Sequence, residues 1–255
     1  MTFNWKKTII GVLDVAIAVY LVAAVTVLNK PYGKAAVCSE VNITIADGQT
    51  NTILTPAEVK RLLEQQRAYP LAQPMQFIDT RHMEEVLCEN PFVANAECYK
   101  TQEGHVAIRL EQRKPVLYVL STSGDRYFVD SEGEILPHTR LTGNLLVATG
   151  TMTRQYASRR LAPIARYIAG DRFWSEQTEQ LNVLPDGTLE LVPRVGDHIV
   201  SLGAPVGIKH KLDRLMKFYK YGLSQAGWDR YERISVEFDN QIICKKKKSR
   251  SCKRN

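Results

Sequence analysis

The sequence of 255 residues predicts an α+β protein that begins with a transmembrane helix. Three observations support this fold class: a long apolar run lies near the N-terminus, a segment with the order β-α-α-β-β follows, and a strand-rich region with two helices comes last. The predicted parts are a short cytoplasmic segment at 1–8, a transmembrane helix at 9–28, a first folded domain at 36–114, a mixed β-domain at 115–244 and a basic, disordered tail at 245–255.

The transmembrane helix is predicted from residues 9–28, which contain a single charged side chain. At about 1.5 Å per residue, such a helix spans a bilayer core of about 30 Å. Lys6 and Lys7 precede the span without any acid, which favours a cytoplasmic N-terminus. Lys30 and Lys34 follow the span, so the orientation depends on a small difference in charge.

Two alternatives compete with this interpretation. A cleavable signal peptide usually has an apolar region of about 7 to 15 residues and a cleavage site of small residues. The sequence Asn29-Lys30-Pro31-Tyr32 after the run offers no such site. The second alternative is a buried helix of a soluble protein.

The charged residue within the predicted span is Asp14, the sixth residue of the run. The helical rise places it about 9 Å into the span, and an acid at that depth is a candidate functional residue. In that case we expect it to pair with a partner helix. The alternative is that Asp14 is protonated or lies near the headgroups.

The first folded domain shows the two periodicities of strands and helices in turn. Alternating apolar residues at 41–46 predict a strand. Thr55-Pro56-Ala57-Glu58 has the pattern of a helix start, and a second short helix is expected at about 80–89. Strands at 93–100 and 105–112 complete the β-α-α-β-β order.

The second domain is predicted mainly from short strands separated by turn residues. Two helices interrupt them, at about 154–169 and 208–224, and Pro163 should kink or break the first. The predicted strands lie at 116–121, 126–130, 134–136, 178–184, 188–193, 197–202 and 231–244.

The charge distribution argues against a nucleic-acid-binding surface. The net charge is +7, but the last eleven residues hold seven of the 34 Lys and Arg, and the other 27 equal the number of acids. A nucleic-acid-binding domain would carry its basic residues on a folded face. The tail is expected to be disordered and solvated; the alternative is that it binds anionic lipid or cell-wall polymer.

The residue types that carry catalysis do not form a recognisable motif. The five histidines have no metal-ligand spacing, and the five cysteines include no Cys-x-x-Cys pair. One disulfide between two of Cys38, Cys88 and Cys98 is compatible with the sequence, although Cys88 and Cys98 are better explained as buried core residues. We therefore predict no catalytic residue, no metal site and no cofactor.

Several motifs resemble known families. The β-α-α-β-β order with Asn90-Pro91-Phe92-Val93 and Glu111-Gln112-Arg113-Lys114-Pro115 is similar to a POTRA domain. The chain from the predicted span to Cys244 resembles the bacterial cell-division family FtsQ/DivIB, through Tyr127–Gly133, Leu202-Gly203, Lys211-Leu212, Phe218-Tyr219, Gly227-Trp228 and Ile234–Cys244. The collinear order of these features carries the resemblance. The short cytoplasmic segment and the basic tail depart from the family pattern.

The resemblance implies a non-enzymatic scaffold that recruits other septal proteins. Its expected partners are the FtsB-like and FtsL-like bitopic division proteins and the lipid bilayer. The expected location is the inner membrane at the division septum, with a single pass, a cytoplasmic N-terminus and an extracytoplasmic C-terminal domain. No nucleic acid is expected as a partner.

The predicted partner site lies on the last strand, because an edge strand leaves main-chain groups that a partner strand can complete. The resemblance places partner contacts at Glu237, Phe238, Asn240 and Gln241. By the period of two, Phe238 and Asn240 would share a face with Ile234 and Val236. The alternative is that the apolar members of this face belong to the core. The POTRA-like domain offers a second edge.

Two rival functions come from other classes of protein. A POTRA-bearing component of transport or outer-membrane assembly usually has repeated POTRA units or a barrel. A membrane-anchored cell-wall enzyme would need a nucleophile or a metal constellation.

Overall fold

The computed structural model describes residues 5–28, 36–46, 53–139 and 145–247. Helix α1 (Trp5–Leu28) covers the predicted span, and Asp14 is exposed within it. Over the part of the chain that is described, no helix combines the length and the apolarity that crossing a membrane requires. Half of the predicted cytoplasmic segment (1–4) and most of the basic tail (248–255) lie outside the described residues.

The chain divides into two compact units. The first unit consists of Met1–Thr44, Pro56–Leu87 and Ala96–Leu110. The second unit consists of Ile45–Thr55, Cys88–Asn95 and Glu111–Asn255.

A three-stranded sheet and two helices form the β-α-α-β-β segment, as predicted. The sheet has the order β1-β3-β2. Its elements are β1 (Glu40–Ala46), α2 (Pro56–Gln65), α3 (Thr80–Cys88), β2 (Val93–Lys100) and β3 (His105–Gln112). Met83, Val86 and Leu87 are buried on α3, at the spacing of one helical face. On β3, Val106, Ile108 and Leu110 are buried at every second position.

The second unit is built on a nine-stranded sheet with the order β12-β11-β10-β9-β8-β7-β4-β5-β6. Strand pairs β4/β7, β7/β8 and β10/β11 are parallel, and the other pairs are antiparallel. The strands are β4 (Pro115–Ser121), β5 (Arg126–Asp130), β6 (Ile135–Pro137), β7 (Leu146–Gly150), β8 (Thr178–Val183), β9 (Leu189–Pro193), β10 (Ile199–Gly203), β11 (Tyr231–Ser235) and β12 (Ile243–Lys246).

Two long helical segments contribute to the core of this unit, as the sequence predicts. In the first, α4 (Arg154–Tyr156) continues through a π-helical turn (Ala157–Leu161) into α5 (Ala162–Gly170). Pro163 lies at the start of α5 and does not end the helical segment. A proline is tolerated in the first turn of a helix, and the wider π-helical turn comes directly before it.

The second helical segment starts at α7 (Ile208–Phe218) and continues through a π-helical turn (Tyr219–Leu223) into α8 (Ser224–Ala226). Leu212, Leu215 and Leu223 are fully buried in the core of the sheet unit. This segment therefore packs its apolar stripe into the same core as the strands.

Two elements were not predicted from the sequence. Strand β7 begins within the continuous apolar run Leu145-Leu146-Val147-Ala148, which shows no alternation of apolar and polar residues. Helix α6 (Arg172–Gln177) has only six, although Asp171 caps it by accepting a hydrogen bond from the Trp174 backbone N–H at 3.0 Å. The Asp171 cap was a readable signal, since aspartate is a preferred N-cap residue.

The prediction of one continuous strand over 231–244 is wrong. The chain forms β11, leaves the sheet at a turn and returns as β12, antiparallel to β11. The turn contains Asp239 and Asn240, whose side chains favour turns over strands. These two residues therefore oppose the alternating pattern that predicts one strand over 231–244.

The prediction that Cys88 is buried is also wrong, whereas Cys98 is buried as expected. Cys88 is the last residue of α3 and is exposed there. Among the described residues, no pair of cysteines forms a disulfide.

An aromatic cluster near the start of β10 holds a buried histidine. The Nε2 atom of His198 lies 2.8 Å from the Tyr219 hydroxyl, and the Trp228 ring lies tilted beside both rings. The Nδ1 atom of His198 is buried and has no hydrogen-bond partner among the described residues. Burial lowers the pKa of His198 below 6.5, Lys247 lowers it further and Asp197 opposes the shift.

This burial predicts a loss of stability in acid. Well above pH 6.5 His198 is neutral in both states, and as the pH falls through this range the unfolded chain takes up the proton before the folded chain does. The free energy of unfolding should therefore fall as the pH drops. Urea unfolding followed by near-ultraviolet circular dichroism, at about pH 8 and about pH 5, measures this change.

His198→Gln should reduce the loss of unfolding free energy between about pH 8 and about pH 5. His210→Gln is the control: His210 is exposed on α7, so this variant should lose as much unfolding free energy as the wild type. Equal losses in the wild type and the His198→Gln variant would contradict this role of His198.

Candidate functional site

The candidate site is built on β11, which lies in the interior of the sheet. β11 pairs in parallel with β10, and Ile234 lies opposite Val200. Ile234 and Val236 are fully buried, and the Val236 backbone N–H donates to the Ser201 carbonyl at 3.0 Å. The main chain is therefore fixed up to Val236, where it leaves the sheet.

The residues that follow form an exposed turn, defined here as residues 237–241. Arg214, on α7, donates to the Gln241 carbonyl at 2.7 Å and to the Val236 carbonyl at 3.5 Å. One guanidinium thus bonds the main chain on both sides of the turn. This arrangement holds the turn in one place while its side chains stay in solvent.

A buried lysine and a glycine lie beneath the same turn. Lys211 donates from Nζ to the carbonyls of Leu202 and Ala204, both at 2.8 Å. Burial lowers the pKa of Lys211, and the carboxylates of Glu237 and Asp239 act in the opposite direction. The turn therefore places two negative charges near a buried positive charge.

Gly203 lets the Glu237 side chain lie against the end of β10. Its backbone has φ +66°, a conformation that favours glycine, and a Cβ atom there would stand 2.5 Å from Glu237 Cγ. A larger residue at this position would displace Glu237. The Leu202-Gly203 pair thus has a local physical role in shaping the turn.

Strand β12 forms one edge of the nine-stranded sheet. Among the described residues it pairs with β11 alone, so its other side carries backbone groups without a strand partner. Ile243 is exposed on it, Lys245 pairs with Glu232 at 3.3 Å, and Lys247, just beyond it, pairs with Asp197 at 3.0 Å. This edge is short and cationic, and it lies directly after the exposed turn.

A row of polar side chains crosses the sheet and ends at β11. Thr149 on β7 donates to Asn182 on β8 at 3.1 Å, and Asn182 donates to Glu190 on β9 at 3.2 Å. Arg233 on β11 pairs with Glu190 and also donates to Ser201 on β10 at 2.8 Å. Because Glu190 is buried, this pairing compensates a charge that would otherwise be costly.

The structure brings the four predicted contact residues together, but on the turn and not on a strand. Glu237, Phe238, Asn240 and Gln241 are all exposed. Ile234 and Val236 belong to the core, whereas Phe238 is 51% exposed. The supporting residues Lys211 and Arg214 were not predicted as part of the site, because nothing in the local sequence shows which main chain they contact.

The described residues contain no group of three or more His, Cys, Asp or Glu side chains that could hold a metal ion. The features assembled at the candidate site are a strand edge, an exposed aromatic ring and lysine side chains. These features suit protein binding.

Comparison with protein families agrees with this architecture. A family model described as "FtsQ/DivIB, C-terminal related" matches residues 114–245, more than half of the chain. The chain belongs to the FtsQ/DivIB-related family. A model of the POTRA-like domain matches residues 36–111. A search of curated proteins gave no match.

Membership of the FtsQ/DivIB-related family confirms the resemblance read from the sequence and supports a role in cell division. The family is one of non-enzymatic division proteins. The match extends to Lys245 and therefore includes both the exposed turn and most of β12.

The contact between Gly203 and Glu237 can be tested by substitution. Gly207→Ala is the control, because its φ of +63° imposes similar backbone strain while no atom lies within 4 Å of its added Cβ. We expect the control to lose about 1 kcal/mol of unfolding free energy. Gly203→Ala should lose about 0.5–1.5 kcal/mol more, because the Glu237 side chain must leave its place against Gly203 for a less favourable rotamer.

Urea unfolding in detergent micelles measures both losses. Adding Glu237→Ala to Gly203→Ala should recover part of the extra loss, since it removes the two atoms closest to the new Cβ. Equal destabilisation by Gly203→Ala and Gly207→Ala would show that Glu237 does not pack against Gly203.

Proposed function

We propose that this protein is a membrane-anchored division scaffold that binds a partner by adding a strand to β12. The observation that carries the proposal is that β12, within the part of the chain that the structure describes, has a strand neighbour on one side only and lies next to an exposed, anchored turn. Main-chain hydrogen bonds along the edge would supply affinity, and side chains on the turn would supply specificity.

The turn supports this proposal because its conformation is held before binding. Arg214 bonds the main chain at both ends of the turn, so a partner meets Phe238 and its neighbours in a fixed arrangement. A preorganised surface loses less conformational entropy on binding. Exposed aromatic side chains in such positions are frequent hot spots.

The charge of the edge indicates which partner strand it suits. Lys246 is exposed on β12, and Lys245 and Lys247 form ion pairs on the protein's own surface. An acidic strand with an apolar residue opposite Ile243 would complement this edge. We propose that the FtsB-like and FtsL-like bitopic division proteins provide such a segment, and that other septal proteins assemble with them.

The proposed location follows from the sequence of residues 9–28. In the sequence these are twenty residues with one charged side chain, and on that basis we propose a single membrane pass, although no helix among the described residues meets the requirement for one. The N-terminus would lie in the cytoplasm and both folded units outside it, at the division septum. Asp14 would then lie within the span and pair with a partner helix. The four proposed contact residues Glu237, Phe238, Asn240 and Gln241 would face the extracytoplasmic space.

Phe238→Asp tests the proposed interface. We expect partner affinity to fall at least tenfold, about 1.4 kcal/mol or more, because a charge replaces an exposed aromatic anchor. Val206→Asp is the control, since Val206 is an exposed apolar residue in the turn before α7, outside the proposed interface. Co-purification of the partners from cells and septal localisation of the protein measure the effect.

Photocrosslinking from Asn240 identifies what binds there. Capture of small bitopic coiled-coil septal proteins would support the proposal, and capture of secretion or outer-membrane assembly components would favour the transport alternative. Normal recruitment by a folded Phe238→Asp variant would overturn the interface as proposed.

A further inference from the structure

The loop between α2 and α3 presents apolar side chains to solvent. Residues 68–78 contain no charged side chain, which is unusual for a surface loop. Phe77 is 72% exposed and Leu71 is 44% exposed, and Val37, which pairs with Pro74 in this region, is 47% exposed. The Val37–Pro74 bridge and the Ala72–Cys38 hydrogen bond join the two segments that carry these side chains, and apolar side chains brought together on a surface mark an interaction site.

This loop is bonded to the first described residues after α1. The Met75 backbone N–H donates to the Ala36 carbonyl at 2.9 Å, and the Cys38 N–H donates to the Gln73 carbonyl at 2.9 Å. Ala72 donates back to the Cys38 carbonyl, also at 2.9 Å. The loop therefore lies where the chain enters the first folded unit.

The inner side of the loop is fixed, which leaves its outer side available. Cys38 and Met75 are each 1% exposed, and Lys100 donates from Nζ to the Met75 carbonyl at 2.7 Å. Phe77 is held in a turn by the hydrogen bond from its N–H to the Pro74 carbonyl, at 2.9 Å. Hydrogen bonds and buried side chains thus hold the main chain that carries the exposed Phe77 ring and the exposed aliphatic side chains.

The chain length limits how far this surface can be from the proposed span. Seven residues separate Leu28 from Ala36. At no more than about 3.6 Å per residue, they allow a separation of at most about 29 Å between the ends. The apolar loop is therefore tethered within a short distance of the bilayer, if residues 9–28 span it.

We propose that Val37, Leu71 and Phe77 form a lipid-binding surface that rests on the bilayer next to the membrane anchor. This inference depends on the membrane anchoring in the proposed function. Aromatic and aliphatic side chains without charges suit the interfacial region of a membrane, where the exposed amide group of Gln76 can stay hydrated. The contact would orient the first unit relative to the membrane.

Photocrosslinking to lipid tests this surface in the full chain. The protein is reconstituted in vesicles of phosphatidylethanolamine and phosphatidylglycerol, with p-benzoylphenylalanine replacing Phe77. A reporter replacing Tyr221 in the second unit, which is similarly exposed, is the matched control. We expect lipid adducts from position 77, measured by mass spectrometry, to exceed those from position 221 several-fold. A reporter replacing Leu71 gives the same test if position 77 does not tolerate the change.

A third reporter, replacing Val19 in α1, separates this proposal from the membrane anchoring. Lipid adducts at Val19 without an excess at positions 77 and 71 would overturn the lipid-binding surface alone. Adducts between two copies of the chain at position 77, in place of lipid, would also overturn it. No lipid adduct at Val19 would overturn both the anchoring and the surface that depends on it.

Discussion

The burial of Ile234 and Val236 is the constraint on which the C-terminal part of the structure depends. Side chains in a strand alternate between two faces, so a shift of one residue would expose both and bury their polar neighbours. This fixes the register of β11 beside β10 and sets Val236 as the last residue held by the sheet. The exposed turn and β12 occupy their positions as a consequence.

Charged side chains support this arrangement by bonding to main chain that the strands leave unpaired. Lys211 donates to two carbonyls at the end of β10, and Arg214 donates to two carbonyls around the exposed turn. Buried charges are costly unless they are paired or hydrogen-bonded, and Lys211 meets that condition. The same contacts keep the turn in place, so its side chains stay exposed in a fixed arrangement.

The two proposed surfaces differ in chemistry, which fits different occupants. The β12 edge offers main-chain groups and lysine side chains beside an exposed phenylalanine, a combination that suits an extended protein segment. Residues 68–78 around Phe77 carry no charge and are hydrogen-bonded to Ala36 and Cys38, a few residues after the proposed membrane span. This combination suits a lipid interface. Through such surfaces a scaffold can bind a partner and keep a fixed orientation on a membrane, and neither task needs a catalytic group.

The sequence alone determined the β-α-α-β-β segment, most strands of the second unit and its two long helical segments, because these depend on local periodicity and capping. Through the family resemblance it also proposed Glu237, Phe238, Asn240 and Gln241 as partner contacts on a strand; their contact role stays a prediction, and the structure places them on a turn. The tertiary structure decided that 231–244 is two strands, and that Lys211 and Arg214 support the turn between them. Those features depend on contacts between residues distant in the chain, and local periodicity carries no information about such contacts.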